Sequence, residues 1–335
     1  MDKISKQAQE YYRNTPVIIL GSGSSAAYGM SGMWGLSQHL ITNVPVNDLD
    51  EGSIESWNMF CELLRSDVDL ETALHKINLS QELTKRVVIS TWELLAPEDL
   101  SVFESSLKSN NHFSLGKILK HMFRSTIREI NIITPNYDRL AEYACEQENL
   151  HHHSGFSHGY RRNLVDKSYL RCSRVVNIWK VHGSLDWFSN EQGVITALGN
   201  VKDIPEGLTP LIVTPGIEKY RNTHREPYKT TIHQSDDSID VAYSYLCIGF
   251  GFNDEHIQEK LINRCATQDA KIVVITHKLS KSARNFLFEG NVNNYLAIEA
   301  GDTDDESIVH SSVEKKQIKI NGNYWSIDGF LNLIM

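Results

Sequence analysis

The fold of this chain is indicated most clearly by one stretch, Pro16-Val17-Ile18-Ile19-Leu20-Gly21-Ser22-Gly23-Ser24-Ser25. Its first half is a short apolar, β-branched run, which predicts a buried strand of a parallel sheet. Its second half is a glycine-rich turn that leads towards a helical pattern near Leu36 to Leu40. Glycines let the backbone approach a pyrophosphate closely, and a helix N-terminus offers it free N–H groups. The stretch therefore predicts a dinucleotide-binding turn, and a tight turn without a ligand is the alternative.

The composition is that of a globular protein. Of the 335 residues 41% are hydrophobic and 22% charged, so one large domain with an insertion, or two smaller domains, is expected. The net charge of -9 provides no general basic surface, which disfavours nucleic-acid binding, although Tyr160-Arg161-Arg162 is a local basic segment. No apolar run has the length of a signal peptide or membrane span, so we expect a cytoplasmic protein without a membrane partner.

The cysteines and the clustered histidines are the candidate metal ligands of this sequence. Structural zinc sites use clustered thiolates, and the cysteines form no C-x-x-C pair, so we expect reduced thiols and no zinc. Adjacent histidines point in different directions on most backbones, so for the histidine-rich segment we expect a mobile loop over the active site and no metal. These residues are Cys61, Cys145, Cys172, Cys247 and Cys265, and His151, His152, His153 and His158.

The pattern of the remaining chain alternates between strands and helices. Apolar residues have helical spacing in segments 54–64, 70–77, 83–95 and 113–127, so about 50–125 is expected to be a helical insertion. Strands are predicted at 130–134, 175–181, 211–214, 245–249 and 271–276, with a helix at 139–147 and another beginning near Asn253 or Asp254. Strands separated by helices favour a largely parallel sheet with helices on both faces. Near the C-terminus, Asn321-Gly322-Asn323 predicts a β-hairpin between 317–320 and 324–327, followed by a short helix.

Two polar runs follow predicted strands and are candidates for chemistry. Open α/β sheets bind ligands beyond the carboxyl ends of their strands, so Thr134-Pro135-Asn136-Tyr137-Asp138 is well placed to meet the same nucleotide. The alternative is that Asp138 simply caps the next helix. Val181-His182-Gly183-Ser184 also follows a strand, and a histidine there is able to give or take a proton near neutral pH. Ordinary packing is the alternative for His182.

These runs together resemble a known family. Gly-x-Gly-x-Ser after the first strand, Asn136-Tyr137-Asp138 after the second and Lys180-Val181-His182-Gly183-Ser184 after the third resemble the sirtuin superfamily. The order is most similar to its prokaryotic, zinc-free branch found in antiphage defence. Segment 248–254 and Thr214-Pro215-Gly216 also resemble that branch, and the resemblance covers about 16–280.

The resemblance implies a fold and a domain arrangement. The fold would be α/β, a Rossmann-like parallel sheet with a helical insertion after the first β-α unit and a small C-terminal β-hairpin. Segments 1–45 and 126–300 would form the NAD-binding core, 46–125 the insertion, and 301–335 the hairpin and a short helix.

The resemblance also implies site residues for NAD as the substrate. Asn136 would orient a water or the ribose near the scissile nicotinamide bond, Asp138 would recognise the carboxamide, and His182 would be the general base. The phosphates and the rest of the cofactor would be held by Gly21, Ser22, Gly23, Ser24 and Tyr28, and the adenosine half by Gly249, Phe250 and Thr276.

Two departures from the protein-deacylating sirtuins bear on the reaction. This chain lacks their four-cysteine zinc module, and it reads Met30-Ser31-Gly32-Met33-Trp34 where they have a Pro-x-Phe-Arg element. Both departures count against peptide deacylation, so we expect water to be the acceptor, with nicotinamide and ADP-ribose as products. A deacylase, a non-catalytic NAD- or ADP-ribose-binding subunit and a nuclease subunit are the alternatives. The resemblance further implies NAD depletion during infection, a homo-oligomer, and a HerA-type ATPase as partner.

Overall fold

The computed structural model describes residues 2–66, 68–110, 112–214, 225–314 and 317–335. The helices are α1 (Asp2–Tyr12), α2 (Ser22–Ala26), α3 (Met33–Asn43), α4 (Glu51–Arg65), α5 (Leu70–Lys76), α6 (Gln81–Ser106), α7 (Ser114–Met122), α8 (Leu140–Gln147), α9 (Tyr228–Val241), α10 (Glu255–Ile262), α11 (Lys281–Arg284) and α12 (Ile327–Ile334). Short π-helical segments continue α10 and α11 at Asn263–Thr267 and Asn285–Glu289, and Lys167–Tyr169 is a 3-10 turn.

The strands are β1 (Val17–Leu20), β2 (Glu129–Thr134), β3 (His152–His153), β4 (Arg161–Arg162), β5 (Val175–Lys180), β6 (Gly183–Asn190), β7 (Ile195–Leu198), β8 (Leu208–Ile212), β9 (Ser244–Ile248), β10 (Lys271–Thr276), β11 (Tyr295–Ala300), β12 (Glu306–Ser311) and β13 (Gln317–Asn321). None of the described helices has both the length and the apolar character needed to cross a lipid bilayer.

A nine-stranded sheet in the order β13-β12-β11-β10-β9-β1-β2-β5-β3 forms the centre of the protein. The strands from β11 to β3 are parallel, β12 runs antiparallel to β11, and β13 pairs antiparallel with β12. Strand β1 is buried along its whole length and pairs on both sides, with Ile18 opposite Ile132 and Leu246. The predicted α/β fold with a large parallel sheet is confirmed, and its middle strands end together at one edge.

A second sheet corrects the expected position of segment 211–214. Strand β8, Leu208–Ile212, lies in a four-stranded antiparallel sheet in the order β4-β7-β6-β8 and adds nothing to the parallel one. Only Val181 and His182 separate β5 from β6, and so short a link cannot cross over to a parallel neighbour. The chain therefore turns into a separate sheet directly after β5. Of the segment Thr214-Pro215-Gly216, the last two residues lie outside the described residues.

The C-terminal hairpin differs from the prediction. Strand β13 pairs with β12, so the hairpin connects 306–311 to 317–321. Tyr324 and Trp325 lie in a turn, and Ser326 caps α12 by accepting a hydrogen bond from the amide of Gly329. The Asn-Gly signal was wrong as a hairpin turn because β12 offers β13 a complete antiparallel partner already paired to β11. The closing helix itself is confirmed.

The histidine segment is likewise not a loop over the active site. His152 and His153 form β3 at the edge of the main sheet, opposite Val176 and Asn177 of β5. Both side chains are buried. Backbone pairing with an exposed strand edge explains this placement, which the polar sequence concealed.

Helices α4 to α7 lie within segment 46–125, and the first of them, α4 and α5, belong to an apolar cluster separate from the main core, whereas α7 packs into that core. Helices α3, α4 and α5 and the first turns of α6 contribute to this cluster, whereas the later turns of α6 pack into the core beside the sheet. Helix α6 therefore extends from one apolar cluster into the other. The division of the chain into domains stays a prediction.

Candidate active site

A cleft of about 210 Å³ lies at the edge of the sheet where β1, β2, β5 and β9 end. Asn136, Asp138 and His182, the three residues predicted from sequence to carry chemistry, all line it. Gly21, Ser22, Ser25 and Phe250 also contribute to its wall. The topology brings them together because parallel strands place the residues that follow them at a common edge.

The glycines of the β1–α2 turn allow it to touch the end of β9. The amides of Gly21 and Gly23 donate to the carbonyls of Ile248 and Gly249, each at 3.0 Å. A Cβ on Gly21 would stand 2.4 Å from the Gly249 oxygen, and one on Gly249, whose φ is +57°, would stand 2.3 Å from the Ser24 nitrogen. No side chain fits in either place. These glycines thus serve a backbone contact between two strand ends, which fixes the turn beneath the cleft.

Ser25 connects the turn to the segment after β2. Its hydroxyl donates to Oδ2 of Asp138 at 2.7 Å and accepts a hydrogen bond from Nδ2 of Asn136 at 3.1 Å. Nδ2 of Asn136 also donates to the Gly21 carbonyl at 3.0 Å. Three polar side chains from two strand ends therefore form one hydrogen-bonded group on the cleft wall. Ser25 belongs to the turn predicted to bind the dinucleotide, but its hydrogen bonds to Asn136 and Asp138 were not predicted from the sequence.

Asp138 has a perturbed environment. Burial raises the pKa of this carboxyl above its ordinary value, against the opposing effects of Lys180 and of the Ser25 hydroxyl. Oδ1 accepts a hydrogen bond from the amide of Leu140 at 3.2 Å, so the side chain partly caps α8. Arg139, and not Asp138, occupies the N-cap position. The alternative that Asp138 caps the next helix is thus correct in part, because Oδ1 contributes to the cap while Oδ2 accepts a hydrogen bond from Ser25 at the cleft.

Lys180 lies beneath this group and is fully buried. Its ammonium donates to the Asp138 carbonyl and lies 3.2 Å from Oε1 of Glu142 on α8. A buried lysine requires such partners because its charge would otherwise be left without solvation. The last residue of β5 thus binds the segment that carries Asn136 and Asp138.

His182 projects where the chain bends from β5 into β6. Gly183, which follows, has φ +88°, and a Cβ there would stand 2.0 Å from the Leu211 oxygen, so the bend requires glycine. Nε2 of His182 lies 2.8 Å from Oδ2 of Asp254, an ion-pair distance without the alignment of a hydrogen bond. Asp254 also caps α10 by accepting from the amide of Ile257. The sequence predicted only this capping role for Asp254.

The pair of His182 and Asp254 stands between two cavities. One is the cleft described above, and the second has a volume of about 160 Å³ and includes Tyr228, His256 and Glu259 in its wall. His182 is therefore accessible from either side while remaining 92% buried, since its exposed fraction is 8%.

The other residues predicted to hold the cofactor occupy varied positions. Phe250 lines the cleft, and Gly249 lies directly behind the turn. The Ser24 hydroxyl donates to the Gly21 carbonyl, and the Thr276 hydroxyl at the end of β10 donates to the Lys278 carbonyl.

Tyr28 points towards α7. Its hydroxyl accepts from the amide of Ser114 at 3.3 Å, and its ring packs on Phe113 with the centroids 5.3 Å apart. Burial raises the pKa of Tyr28. Neither Tyr28 nor Gly23, Ser24, Gly249 or Thr276 is among the described residues that line the cleft. Their assignment to the cofactor stays a prediction.

The basic segment at Tyr160 to Arg162 is partly neutralised. Arg162 forms an ion pair with buried Asp186 on β6. Although burial alone would raise it, the pKa of Asp186 is held at about 2 by Arg162, Arg139 and Lys180. The charge of Arg162 is therefore paired within the protein, whereas Arg161 is exposed.

Groups of three or more metal-binding side chains are absent from the described ranges. In the histidine segment, His152 faces Glu146 at 3.2 Å and His153 packs edge-on against Trp179. Burial lowers the pKa of His153 to about 4. Among the acidic residues Asp67, Asp69 and Glu71, Asp69 caps α5 through the amide of Thr72, whereas Asp67 and the Glu71 side chain lie outside what the structure describes.

Part of the chain that forms this site matches a known protein family. The family model described as a SIR2-like domain matches residues 130–295. Residues 130–295 are sirtuin-like. The SIR2-like segment contains Asn136, Asp138, His182 and Asp254, whereas the turn from Gly21 to Ser25 precedes it.

Solved structures similar to this chain are Sir2 proteins. A Sir2 enzyme studied for mechanism and regulation has 16% identity and a TM-score of 0.44, with 84% of this chain and 88% of that chain covered. Sir2Tm bound to a propionylated peptide has 12% identity and a TM-score of 0.44, with 87% and 99% covered. A Sir2 homologue in complex with ADP-ribose has 11% identity and a TM-score of 0.46, with 84% and 87% covered. No curated protein matches the chain.

Proposed function

We propose that this protein is an NAD glycohydrolase, which cleaves the bond between nicotinamide and ribose and releases nicotinamide and ADP-ribose. The observation that carries the proposal is the convergence of Asn136, Asp138 and His182 on one cleft at the ends of β1, β2 and β5. The sirtuin-like match over 130–295 supports NAD as the nucleotide.

The chemistry needs few groups. The C1′–N bond breaks with its electron pair passing to the nicotinamide nitrogen, which removes the positive charge of the ring and leaves an oxocarbenium-like ribose. A water oxygen bonds to C1′ and loses one proton. Such a reaction is accelerated by a placed nucleophile and by groups that stabilise the developing charge.

Each residue has a role in this scheme. Asn136 orients the water or the ribose, and the Asp138 carboxylate accepts a hydrogen bond from the nicotinamide carboxamide. His182 takes the proton on its imidazole ring, and the imidazolium so formed is stabilised by Asp254, whose Oδ2 lies 2.8 Å from Nε2. The hydrogen bonds that Asn136 donates to the Ser25 hydroxyl and to the Gly21 carbonyl hold its side chain in place before substrate binds.

The wider setting extends the same proposal. We propose NAD depletion in antiphage defence as the role, and a homo-oligomer or a HerA-type ATPase complex as the working assembly. These proposals rest on the resemblance of the motifs, and a partner ATPase would be sought first among the proteins encoded beside this one.

The test is direct measurement of both products. Purified protein, alone and with any co-encoded ATPase, is incubated with NAD, and nicotinamide and ADP-ribose are quantified by chromatography. H182A is expected to reduce turnover by at least about 100-fold, as loss of a general base does. The control is H233A, because His233 lies on the exposed face of α9.

The alternatives give different results. A deacylase would consume NAD only with an acylated lysine peptide, and a binding subunit would bind ADP-ribose while leaving NAD intact in every assembly. Either result would overturn the proposal, as would full turnover by H182A.

A further inference from the structure

Helix α6 of the helical insertion makes hydrogen bonds to three of the segments that form the candidate active site. It is the longest described helix, at 26 residues. Trp92, Glu98 and Asp99 lie within two of its turns, and each makes hydrogen bonds to a different segment. The bonds are described one segment at a time below.

The first segment is the loop between α2 and α3. Both carboxylate oxygens of Glu98 are used on Ser31: Oε2 accepts from its amide at 2.7 Å, and Oε1 accepts from its hydroxyl at 2.6 Å. Met30, Ser31, Gly32 and Met33 all line the cleft. Glu98 thus holds the loop that stands where the deacylating enzymes have Pro-x-Phe-Arg. Hydrogen bonds to a charged acceptor are among the stronger ones in proteins.

The second segment follows β2. Asp99 is completely buried, and its Oδ1 accepts from the amide of Arg139 at 2.8 Å. Oδ2 accepts from Nε and Nη2 of the Arg139 guanidinium at 3.0 and 2.6 Å, and from the Tyr143 hydroxyl at 2.6 Å. Arg139 directly follows Asp138, so this pair fixes the backbone beside the cleft carboxylate.

The third segment follows β5. Nε1 of Trp92, a side chain only 3% exposed, donates to the Leu185 carbonyl at 2.7 Å. Leu185 lies three residues after His182, and its amide donates to the Tyr137 carbonyl at 3.0 Å. The indole therefore holds the start of β6 against the segment that carries Asn136 and Asp138.

The packing of α6 separates these contacts from the rest of the insertion. Leu83 and Val87 near its start belong to the apolar cluster of the insertion, whereas Leu95 and Val102 belong to the core beside the sheet. All three bonding residues lie in the half that packs into the core. The helix consequently joins the insertion rigidly to the three loops.

We propose that Trp92, Glu98 and Asp99 of α6 are positioning residues, which hold the three loops of the nucleotide site in register and so make NAD binding dependent on the helical insertion. The proposal rests on the proposed function for its substrate. Of the three residues, Glu98 is the most suitable for a test, because its hydrogen bonds go only to Ser31 in the loop at the cleft, whereas Trp92 and Asp99 are themselves buried.

The test compares E98Q with E93Q in the full-length protein. Glu93 lies on the same helix with an exposed side chain, so E93Q makes the same chemical change away from the site. E98Q is expected to raise KM for NAD and Kd for ADP-ribose by about 10-fold or more, the effect of weakening two charge-assisted bonds, with a smaller change in kcat. E93Q is expected to match the wild type in all three quantities.

A double mutant tests whether the effect passes through Ser31. If Glu98 acts by holding Ser31, S31A combined with E98Q binds ADP-ribose no more weakly than E98Q alone. Amide hydrogen exchange of a peptide covering 29–35 is expected to accelerate in E98Q and to stay unchanged in E93Q. Fully additive effects of S31A and E98Q would overturn the proposal, and so would equal affinities and exchange rates in E98Q and E93Q.

The two proposals fail in different ways. A wild-type protein that binds ADP-ribose but never cleaves NAD ends the proposed hydrolysis, while a weaker Kd in E98Q still supports positioning by α6. A wild-type protein that cleaves NAD, with E98Q indistinguishable from E93Q, ends the positioning role alone. W92F, which keeps an aromatic side chain but loses the indole N–H and its bond to Leu185, is expected to lower kcat more than it raises KM.

Discussion

Ser25 and Asp138 share a hydrogen bond of 2.7 Å that joins the turn after β1 to the segment after β2. In this bond the Ser25 hydroxyl donates to the Asp138 carboxyl, and burial raises the pKa of that carboxyl. Because the Ser25 hydroxyl opposes that rise, it helps to keep Asp138 in the carboxylate form, which the proposed hydrogen bond from the nicotinamide carboxamide requires.

Replacing Ser25 should therefore change the pH dependence of turnover. S25A is expected to raise the pKa of Asp138 further and to reduce NAD turnover near neutral pH by about 10-fold. Activity needs the carboxylate, which is present above the raised pKa and lost as pH falls through it, so the acid limb should move to higher pH. The profile of kcat/KM against pH measures this, with S66A on the exposed end of α4 as control. An unmoved acid limb would contradict the role given to Ser25.

The buried pair of Lys180 and Glu142 allows a test of stability. K180M would leave the Glu142 carboxylate, 5% exposed, without its cation, and is expected to lower the free energy of unfolding by about 3–5 kcal/mol. K180M combined with E142Q removes the unpaired charge and should recover part of that loss. Urea denaturation measures both. A double mutant less stable than K180M would show that the pairing does not decide the cost.

The ion pair of Arg162 and Asp186 is expected to make a pH-dependent contribution to the free energy of unfolding. The pKa of Asp186 is lowered to about 2, so the pair stabilises the folded protein above the ordinary aspartate value and loses that effect as pH falls through about 2. R162M is expected to be less stable than wild type by about 3 kcal/mol at pH 7, and the difference should shrink below about pH 4 as Asp186 takes up a proton. Denaturant unfolding at several pH values measures the difference. A difference independent of pH would contradict the ion-pair explanation.

The contact of the turn with β9 predicts a steric effect at Gly21. G21A would bring a methyl group to 2.4 Å from the Gly249 oxygen, so strong destabilisation and loss of ADP-ribose binding are expected. G32A is the matched change, since a Cβ there meets nothing within 4 Å. Thermal unfolding of both variants decides the point, and equal melting temperatures would mean that the turn adapts to a side chain.

The fold was predictable where local pattern and topology agree. The apolar runs at 17–20, 130–134 and 271–276 are parallel strands of the main sheet, as their short, β-branched apolar pattern predicts. The second sheet could not be predicted, since it depends on the two-residue link at Val181 and His182. The Asn-Gly signal at 321–322 failed for a related reason, because β12, a distant partner, was available to β13.

The candidate site was predictable only in part. Asn136, Asp138 and His182 stand at strand ends, a position that sequence reveals, and the structure places all three on one cleft. Asp254 and Glu98 were missed as site residues, and Ser25 was predicted only as part of the dinucleotide-binding turn, because their partners lie more than 60 residues away in the chain. Local pattern contains no sign of such long-range hydrogen bonds and ion pairs.

The central claim is that the cleft holding Asn136 and His182 hydrolyses NAD. The most direct measurement is the rate of nicotinamide release from NAD by the wild type, N136A, H182A and the control H233A, each confirmed as folded by thermal unfolding. The account predicts release of nicotinamide and ADP-ribose in equal amounts by the wild type and H233A, and a loss of at least about 100-fold in the two site variants. Full turnover in folded N136A and H182A, or intact NAD with the wild type in every assembly, would contradict it.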